Sequence, residues 1–327
     1  NLQDMGPSDP PPPFDHSAYL KWMKGYGHNF IRLWRFEFTK MPSAAPWGDH
    51  PFWVAPQPWQ RTGPGLAADG KPKFDLSRFD EEYFNRLRKM VKEAGREGIY
   101  VSVMLFCGWG ATMDPSGWIS HPFNAANNSN GINGDPDGDG VGTETHTLDM
   151  PEVLAIQEAY VRKAIATVGD LDNVLWEISN ETPLSSTQWQ YHIINFIKAE
   201  EASRPKQHPV GMTFQYADAP LQGGTNQQLF ESPADWVSPN AQWGFRDRPP
   251  ASDGTKVILN DTDHLWGIGG NEPWVWKSVC AGLNPIFMDP YDGLVLGRPF
   301  DPQWEPIRKS LGYARVYFGK LDLKRAL

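Results

Sequence analysis

At 327 residues with 40% hydrophobic content, the chain can bury a substantial core, and its mean hydropathy of −0.52 reflects long polar loops rather than disorder. A net charge of −9, a pI near 5.4 and no Lys/Arg cluster argue against a nucleic-acid partner, because phosphate binding needs a basic face. No run approaches the roughly 18 consecutive apolar residues of a membrane helix, and Cys107 and Cys280 lie too far apart to propose a zinc site or a disulfide framework, so two buried free thiols are expected.

Residues 1–13 are polar and end in Pro10-Pro11-Pro12-Pro13, a stiff extended lead. Asp15 can cap a helix in which Tyr19, Leu20, Met23 and Tyr26 recur near helical spacing until Gly25 and Gly27 stop it. Asn29 to Phe38 reads as a strand with Arg32 and Trp34 on one face and Ile31, Leu33 and Arg35 on the other. Charge buried in a strand is costly unless paired, so Arg32 or Arg35 is expected to meet a carboxylate at the strand's end. Residues 39–74 read as a long loop with Trp47, Phe52, Trp53 and Trp59 among many prolines, and a loop of that length is usually functional. Asp80 to Glu97 is an amphipathic helix, and the almost wholly apolar Ile99 to Phe106 follows as a strand buried on both faces.

A second long loop, residues 107–149, holds Trp109, Trp118, His121 and His146. Pro151 opens a helix through Val168, which leads into the strand Val174 to Ser179; Thr187 to Ala202 is the next helix. Shorter strands follow at Pro209 to Phe214, Asp235 to Ser238, Lys256 to Leu259 and Pro285 to Met288, with helices near Trp274 to Ala281 and Trp304 to Phe318. Seven strands separated by helices or long crossovers are the pattern of parallel βα units. The expectation is an α/β fold, a (β/α)8 TIM barrel forming a single catalytic domain over residues 1–327, with long loops after strands two and three. Its first strand is either a short stub at Asn1 to Met5 or lies ahead of the sequence. Numbering therefore starts from the second strand, which makes Val174 to Ser179 the fourth and Lys256 to Leu259 the seventh. The chain opens at Asn1 and not at Met, which leaves room for a removed leader and makes a secreted or periplasmic protein the expectation.

The fourth strand ends abruptly at Asn180-Glu181, and Pro183 blocks its continuation. In a barrel of parallel strands the carboxyl edge is where chemistry occurs. The seventh strand ends in Asp261-Thr262-Asp263-His264, and strands four and seven lie roughly opposite each other, so carboxyl groups can face one another across the mouth. Glycoside hydrolysis uses such a pair, one group protonating the leaving oxygen while the other attacks the anomeric carbon or activates water. Glu177 shares the inward face with Glu181 and would pair with Arg32 or Arg35. The 15 Trp, many in apparent loops, offer flat surfaces on which carbohydrate stacks.

The Trp-Glu-Ile-Ser-Asn-Glu run at 176–181, with an acidic residue after strand seven, resembles the large clan of retaining barrel glycosidases, whose acid/base Glu follows an Asn on strand four. Within that clan, the aromatic loops and Val-Ile-Leu-Asn-Asp-Thr-Asp-His at 257–264 resemble the apiosidase-like group of cellulase-type, collagenase-associated proteins. The resemblance implies Glu181 as acid/base, Asn180 binding the sugar hydroxyl next to the reacting carbon, and Asp261 as nucleophile, with Asp263 in reserve. The clan's nucleophile is usually Glu, so Asp261 is one methylene short and departs from the pattern.

Further candidates for hydrogen bonding to or stacking on a sugar are Arg32, Trp34, Trp109, His121 and His146 from the early strands and loops. Gln215, Tyr216, Asn240, His264, Trp266 and Asp289 join them from the later strand ends. Asn271-Glu272-Pro273 imitates the acid/base motif, but Gly267 to Gly270 and not a strand precedes it, so Glu272 is expected at a helix start. Asp135, Asp137 and Asp139, followed by Gly140, resemble the first half of an EF-hand loop and propose a structural calcium; the chemistry itself calls for no cofactor. The alternatives are a non-catalytic carbohydrate-binding barrel and a metal-dependent hydrolase with Asp261, Asp263, His264 and His146 as ligands.

Overall fold

The computed structural model describes residues 1–42, 51–110, 115–215, 226–291 and 302–321. In chain order the elements are β1 (Asp4–Gly6), α1 (His16–Gly25), β2 (Phe30–Leu33), β3 (Lys40–Met41), β4 (Phe52–Ala55), β5 (Trp59–Leu66), β6 (Pro72–Phe79), α2 (Glu81–Arg96), β7 (Tyr100–Cys107) and α3 (Pro115–Trp118). They continue as α4 (Pro151–Val168), β8 (Val174–Asn180), α5 (Thr187–Glu201), β9 (Val210–Thr213), α6 (Asn226–Glu231), β10 (Trp236–Ser238), β11 (Val257–Asp261), α7 (Glu272–Cys280), β12 (Asn284–Ile286) and α8 (Glu305–Phe318). Among the described residues no helix is long and apolar enough to cross a membrane.

Local chemistry sets these boundaries. Asp80 caps α2 by accepting the Glu82 N–H, and the helix buries Tyr83, Phe84, Leu87, Met90, Val91 and Ala94 along one stripe. A fully buried leucine such as Leu87 contributes about 1.5–3 kcal/mol over an exposed one. Asn271 caps α7 in the same way through the Trp274 N–H, so Glu272 does lie in the first turn of a helix, where it accepts the Ser310 hydroxyl.

Seven strands form one parallel sheet in the order β12-β11-β10-β9-β8-β7-β2. The sheet curls with helices outside it, a (β/α)8 barrel in which β8 is the fourth strand position and β11 the seventh. Wholly buried runs in β7, β8 and β9 follow from cover on both faces. The stub at the start of the chain is not the first barrel strand: Asp4–Gly6 pairs antiparallel with Phe52–Ala55, which also holds Lys40–Met41, in a separate three-stranded sheet.

Two other expectations are corrected. The strand predicted from Asn29 to Phe38 stops at Leu33, and much of the expected loop at 39–74 is a β-hairpin of β5 and β6. Its turn contains Asp69-Gly70, with Gly70 at φ 81°, a left-handed position that glycine adopts without steric cost. Trp47 lies outside the described residues. Of the two free thiols, Cys107 is buried and Cys280 is exposed.

Candidate active site

Arg32 stands on β2 with its side chain directed into the barrel, where it joins three strands. Its Nε donates to Glu177 Oε2 at 3.1 Å and its Nη2 to Asn180 Oδ1 at 2.6 Å, both on β8. Nη1 donates to Asp261 Oδ2 and to Asp263 Oδ2, each at 3.0 Å, at the end of β11. Three buried carboxylates therefore share one guanidinium. Burial works against the Arg32 charge, yet Glu177 and Asp261 hold its pKa well above the ordinary value. The pairing expected from the cost of a buried charge is thus Arg32 with Glu177, while Arg35 instead donates to the Leu105 carbonyl and faces Glu37.

One cation cannot neutralise three anions, and the excess appears on the aspartates. Burial, opposed by Arg32 and reinforced by the Asp263 charge, pushes Asp261 up to about 7. Burial raises Asp263 as well, again against the pull of Arg32. Asp261 Oδ1 accepts the Asp263 N–H at 2.9 Å, so both Asp261 oxygens are held in place. His264 closes the network, with Nδ1 at 2.7 Å from the Ser238 hydroxyl and Nε2 at 3.1 Å from Asn180 Oδ1. Asn180 Oδ1 can only accept, so His264 donates from Nε2 and accepts the hydroxyl proton at Nδ1. Burial and the nearby Arg32 charge keep its pKa well below the ordinary histidine value, which agrees with that neutral tautomer. Asn180 Nδ2 is buried and makes no protein hydrogen bond among the described residues.

Glu181 directly follows β8, is 8% exposed, and adopts φ 56°. A left-handed backbone is strained for a side chain of this kind, and such strain concentrates at functional sites. It turns the chain sharply off the strand at the carboxyl edge.

The remaining candidates divide by exposure. Trp34, Trp109 and Trp266 are half-buried, with Arg32 5.2 Å from the Trp34 ring centroid and Trp109 edge-on to Phe36. His121 and His146 are fully buried and turn to Glu37, with Nε2 atoms 3.5 and 3.3 Å from its carboxylate. Burial opposes the Glu37 charge, but Arg35 and the two imidazoles hold its pKa well below the ordinary value. Both histidines are therefore interior braces and not part of a sugar-facing rim. Gln215 is likewise buried, donating to the Pro183 carbonyl and the Ser186 hydroxyl, and Asn240 is buried beside Asn226. Asp289 accepts two hydrogen bonds from Arg308, each 2.7 Å. Tyr216 lies outside the described residues.

A metal cluster of Asp261, Asp263, His264 and His146 does not form, because His146 sits on Glu37 and both His264 nitrogens are used on Ser238 and Asn180. Among the described residues, one group of carboxylate, imidazole or thiol ligands comes within 4.8 Å of mutual contact: Asp135, Asp137 and Glu144. Glu144 joins the proposed calcium loop where Asp139 was expected; Asp139 Oδ1 accepts the Val141 N–H instead. Glu144 falls two residues before the final ligand position of an EF-hand loop, which His146 occupies in the sequence.

Solved structures share the fold. An endo-1,4-beta-mannanase from Rhizomucor miehei aligns with a TM-score of 0.54 at 12% identity over 94% of this chain and 90% of its own. An endo-beta-1,4-mannanase from Thermotoga petrophila gives 0.54 at 13% identity over 94% and 74%. The chain spans only 35% of the length of a third protein, a candidate glycoside hydrolase from Bacteroides vulgatus, at 17% identity and a TM-score of 0.39. At these identities the likeness to the two mannanases establishes the barrel fold alone. No curated protein matches the sequence. A family model described as a domain of unknown function, DUF6298, matches residues 43–222, more than half of the chain, and the protein belongs to that family.

Proposed function

We propose that the chain is a glycosidase acting on a plant or microbial poly- or oligosaccharide, with Glu181 as proton donor and Asp261 as nucleophile. The observation that carries this reading is the Arg32 bridge. It fixes Asp261 at the end of the seventh strand position and Asn180, the residue before Glu181, at the end of the fourth. Acid and nucleophile would thus be held on opposite walls of one mouth.

Glu181 would protonate the leaving oxygen, and Asp261 would attack the anomeric carbon from the other side. Asn180 Nδ2, with His264 and Arg32 fixing its amide, would donate to the hydroxyl beside the reacting carbon. The half-buried Trp34, Trp109 and Trp266 would stack on sugar rings. The barrel likeness to two mannanases and the motif at 176–181 support the class, and the segment at 257–264 supports the apiosidase-like subgroup. A panel of aryl glycosides and plant glycans tests it. Turnover that vanishes in folded Glu181→Gln and Asp261→Asn proteins supports the reading, and glycan binding without turnover in the wild type would favour a carbohydrate-binding barrel.

A further inference from the structure

The short turn Thr143–His146 serves two clusters at once: His146 reaches Glu37 at 3.3 Å, and a Glu144 carboxylate oxygen comes within 4.8 Å of oxygens of Asp135 and Asp137. The ground under the second cluster is firm. Gly134 and Gly142, on either side of the acidic turn, pack so closely on the buried Trp118 ring that a Cβ at either position would overlap it. The Gly134 N–H donates to the Phe123 carbonyl at 2.9 Å, and Gln157 Nε2 of α4 donates to the Thr145 carbonyl at 2.7 Å. Backbone amides also orient Asp135, whose Oδ1 accepts from Gly138 and Asp139 and whose Oδ2 accepts from Gly140.

Acidic residues on a surface turn are ordinarily solvated, and Asp137 and Asp139 are exposed. Glu144 differs. Each of its carboxylate oxygens exposes less than 1 Å², and neither has a hydrogen-bond partner among the described residues. Among those residues no Lys, Arg or His forms a salt bridge with Asp135, Asp137 or Glu144. Burial, joined by the charges of Asp137, Asp139 and Asp135, raises the Glu144 pKa. A carboxylate taken out of water is costly unless it is paired or bound to a metal, and this one points at two further carboxylates.

We propose that Asp135, Asp137 and Glu144 bind one calcium ion, with Glu144 as the ligand that joins the acidic turn to the turn holding His146. A set of carboxylate oxygens without imidazole or thiol selects a hard cation. Oxygens on opposite sides of calcium, each about 2.4 Å from it, lie about 4.8 Å apart, which is the span of this cluster. Calcium accepts about six to eight oxygens in flexible geometry, so three carboxylates with water complete its shell, whereas magnesium demands a near-ideal octahedron. The ion would neutralise the crowded carboxylates and fix the turn that places His146 on Glu37. Calcium binding here does not depend on the reaction proposed above.

Thermal unfolding of the EDTA-treated protein, with calcium and with magnesium added back, tests the inference alongside a calcium-binding titration. Calcium should bind once per chain and, at about 100-fold above its Kd, raise Tm by about 3 °C or more. Glu144→Gln preserves side-chain size and Asp137→Asn changes an exposed residue, so both should fold, and each should weaken calcium binding by about tenfold or more. In EDTA the Glu144→Gln protein should melt at or above the wild-type temperature, because the charge it removes has no partner there, and with calcium it should melt below it. A Glu144 that only braced the fold would give the same Tm loss in both conditions, which would overturn the proposal. So would an absent calcium response in the wild type, an equal response in wild type and both variants, or an equal rise with magnesium at the same concentration.

Discussion

Arg32 and Asp261 meet at 3.0 Å although they stand on barrel strands β2 and β11, far apart in sequence and on different parts of the wall. The guanidinium is 6% exposed and the carboxylate 2%, so each charge depends on the other for its solvation. Taking one partner from a buried ion pair leaves an uncompensated charge.

Removing the cation should therefore be severe. Arg32→Met leaves Glu177, Asp261 and Asp263 buried with no cation between them, and the expected loss is about 3–5 kcal/mol. Arg32→Lys keeps the charge but not the fork that serves Glu177, Asn180 and both aspartates, and should recover only part of it. Denaturant midpoints of the two variants against wild type check this.

The elevated Asp261 sets a pH signature. A carboxyl raised from the usual range to about 7 binds its proton more tightly in the folded than in the unfolded chain, so its contribution to stability is lost as pH rises from about 4 towards 7. Each pH unit between the two values is worth about 1.4 kcal/mol, which puts the effect in the kcal/mol range. Asp261→Asn carries no such penalty. Whatever constant offset the amide brings, the difference in Tm between Asp261→Asn and wild type should grow in the variant's favour from pH 5 to pH 8. A difference that stays flat would mean that Asp261 ionises normally.

Glu181 pays a backbone cost that two substitutions can separate. Both Glu181→Gly and Glu181→Ala lose the carboxylate and whatever it contacts, but only glycine relaxes at φ 56°. The glycine variant should be more stable than the alanine variant by roughly 1 kcal/mol, and both should be inactive if Glu181 is the proton donor. Thermal unfolding of the pair gives the first result and the glycoside panel the second.

Asp263 discriminates between the two aspartates. Its charge helps raise Asp261, so Asp263→Asn should let Asp261 ionise more easily and move the acidic limb of kcat/KM to lower pH. Loss of all activity in folded Asp263→Asn would instead make Asp263 the nucleophile.

The barrel was legible because each unit repeats one signal, an amphipathic helix followed by a short apolar strand, as in α2 and β7. That Glu177 pairs with Arg32 or Arg35 was legible too, since a charge on an inward strand position must find an opposite one. Which arginine took the role, and that Asp263 and Asn180 joined it, depended on strand curvature across more than 140 residues, which local pattern does not encode. His121 and His146 looked like site residues because they sit in a Trp-rich loop, but that loop folds inward and spends them on Glu37. The β5–β6 hairpin carried its own signal in Asp69-Gly70, obscured by the surrounding prolines. Cys280 was expected in the core, yet it is the last residue of α7 and faces outward.

Azide rescue on an activated aryl glycoside tests the pairing of Glu181 with Asp261 most directly. Folded Asp261→Gly should lose hydrolysis and regain aryl release when azide occupies the vacated space, yielding a glycosyl azide of anomeric configuration opposite to the substrate. An Asp261→Gly protein that hydrolyses at the wild-type rate, or rescue that appears only in Asp263→Gly, would contradict the assignment.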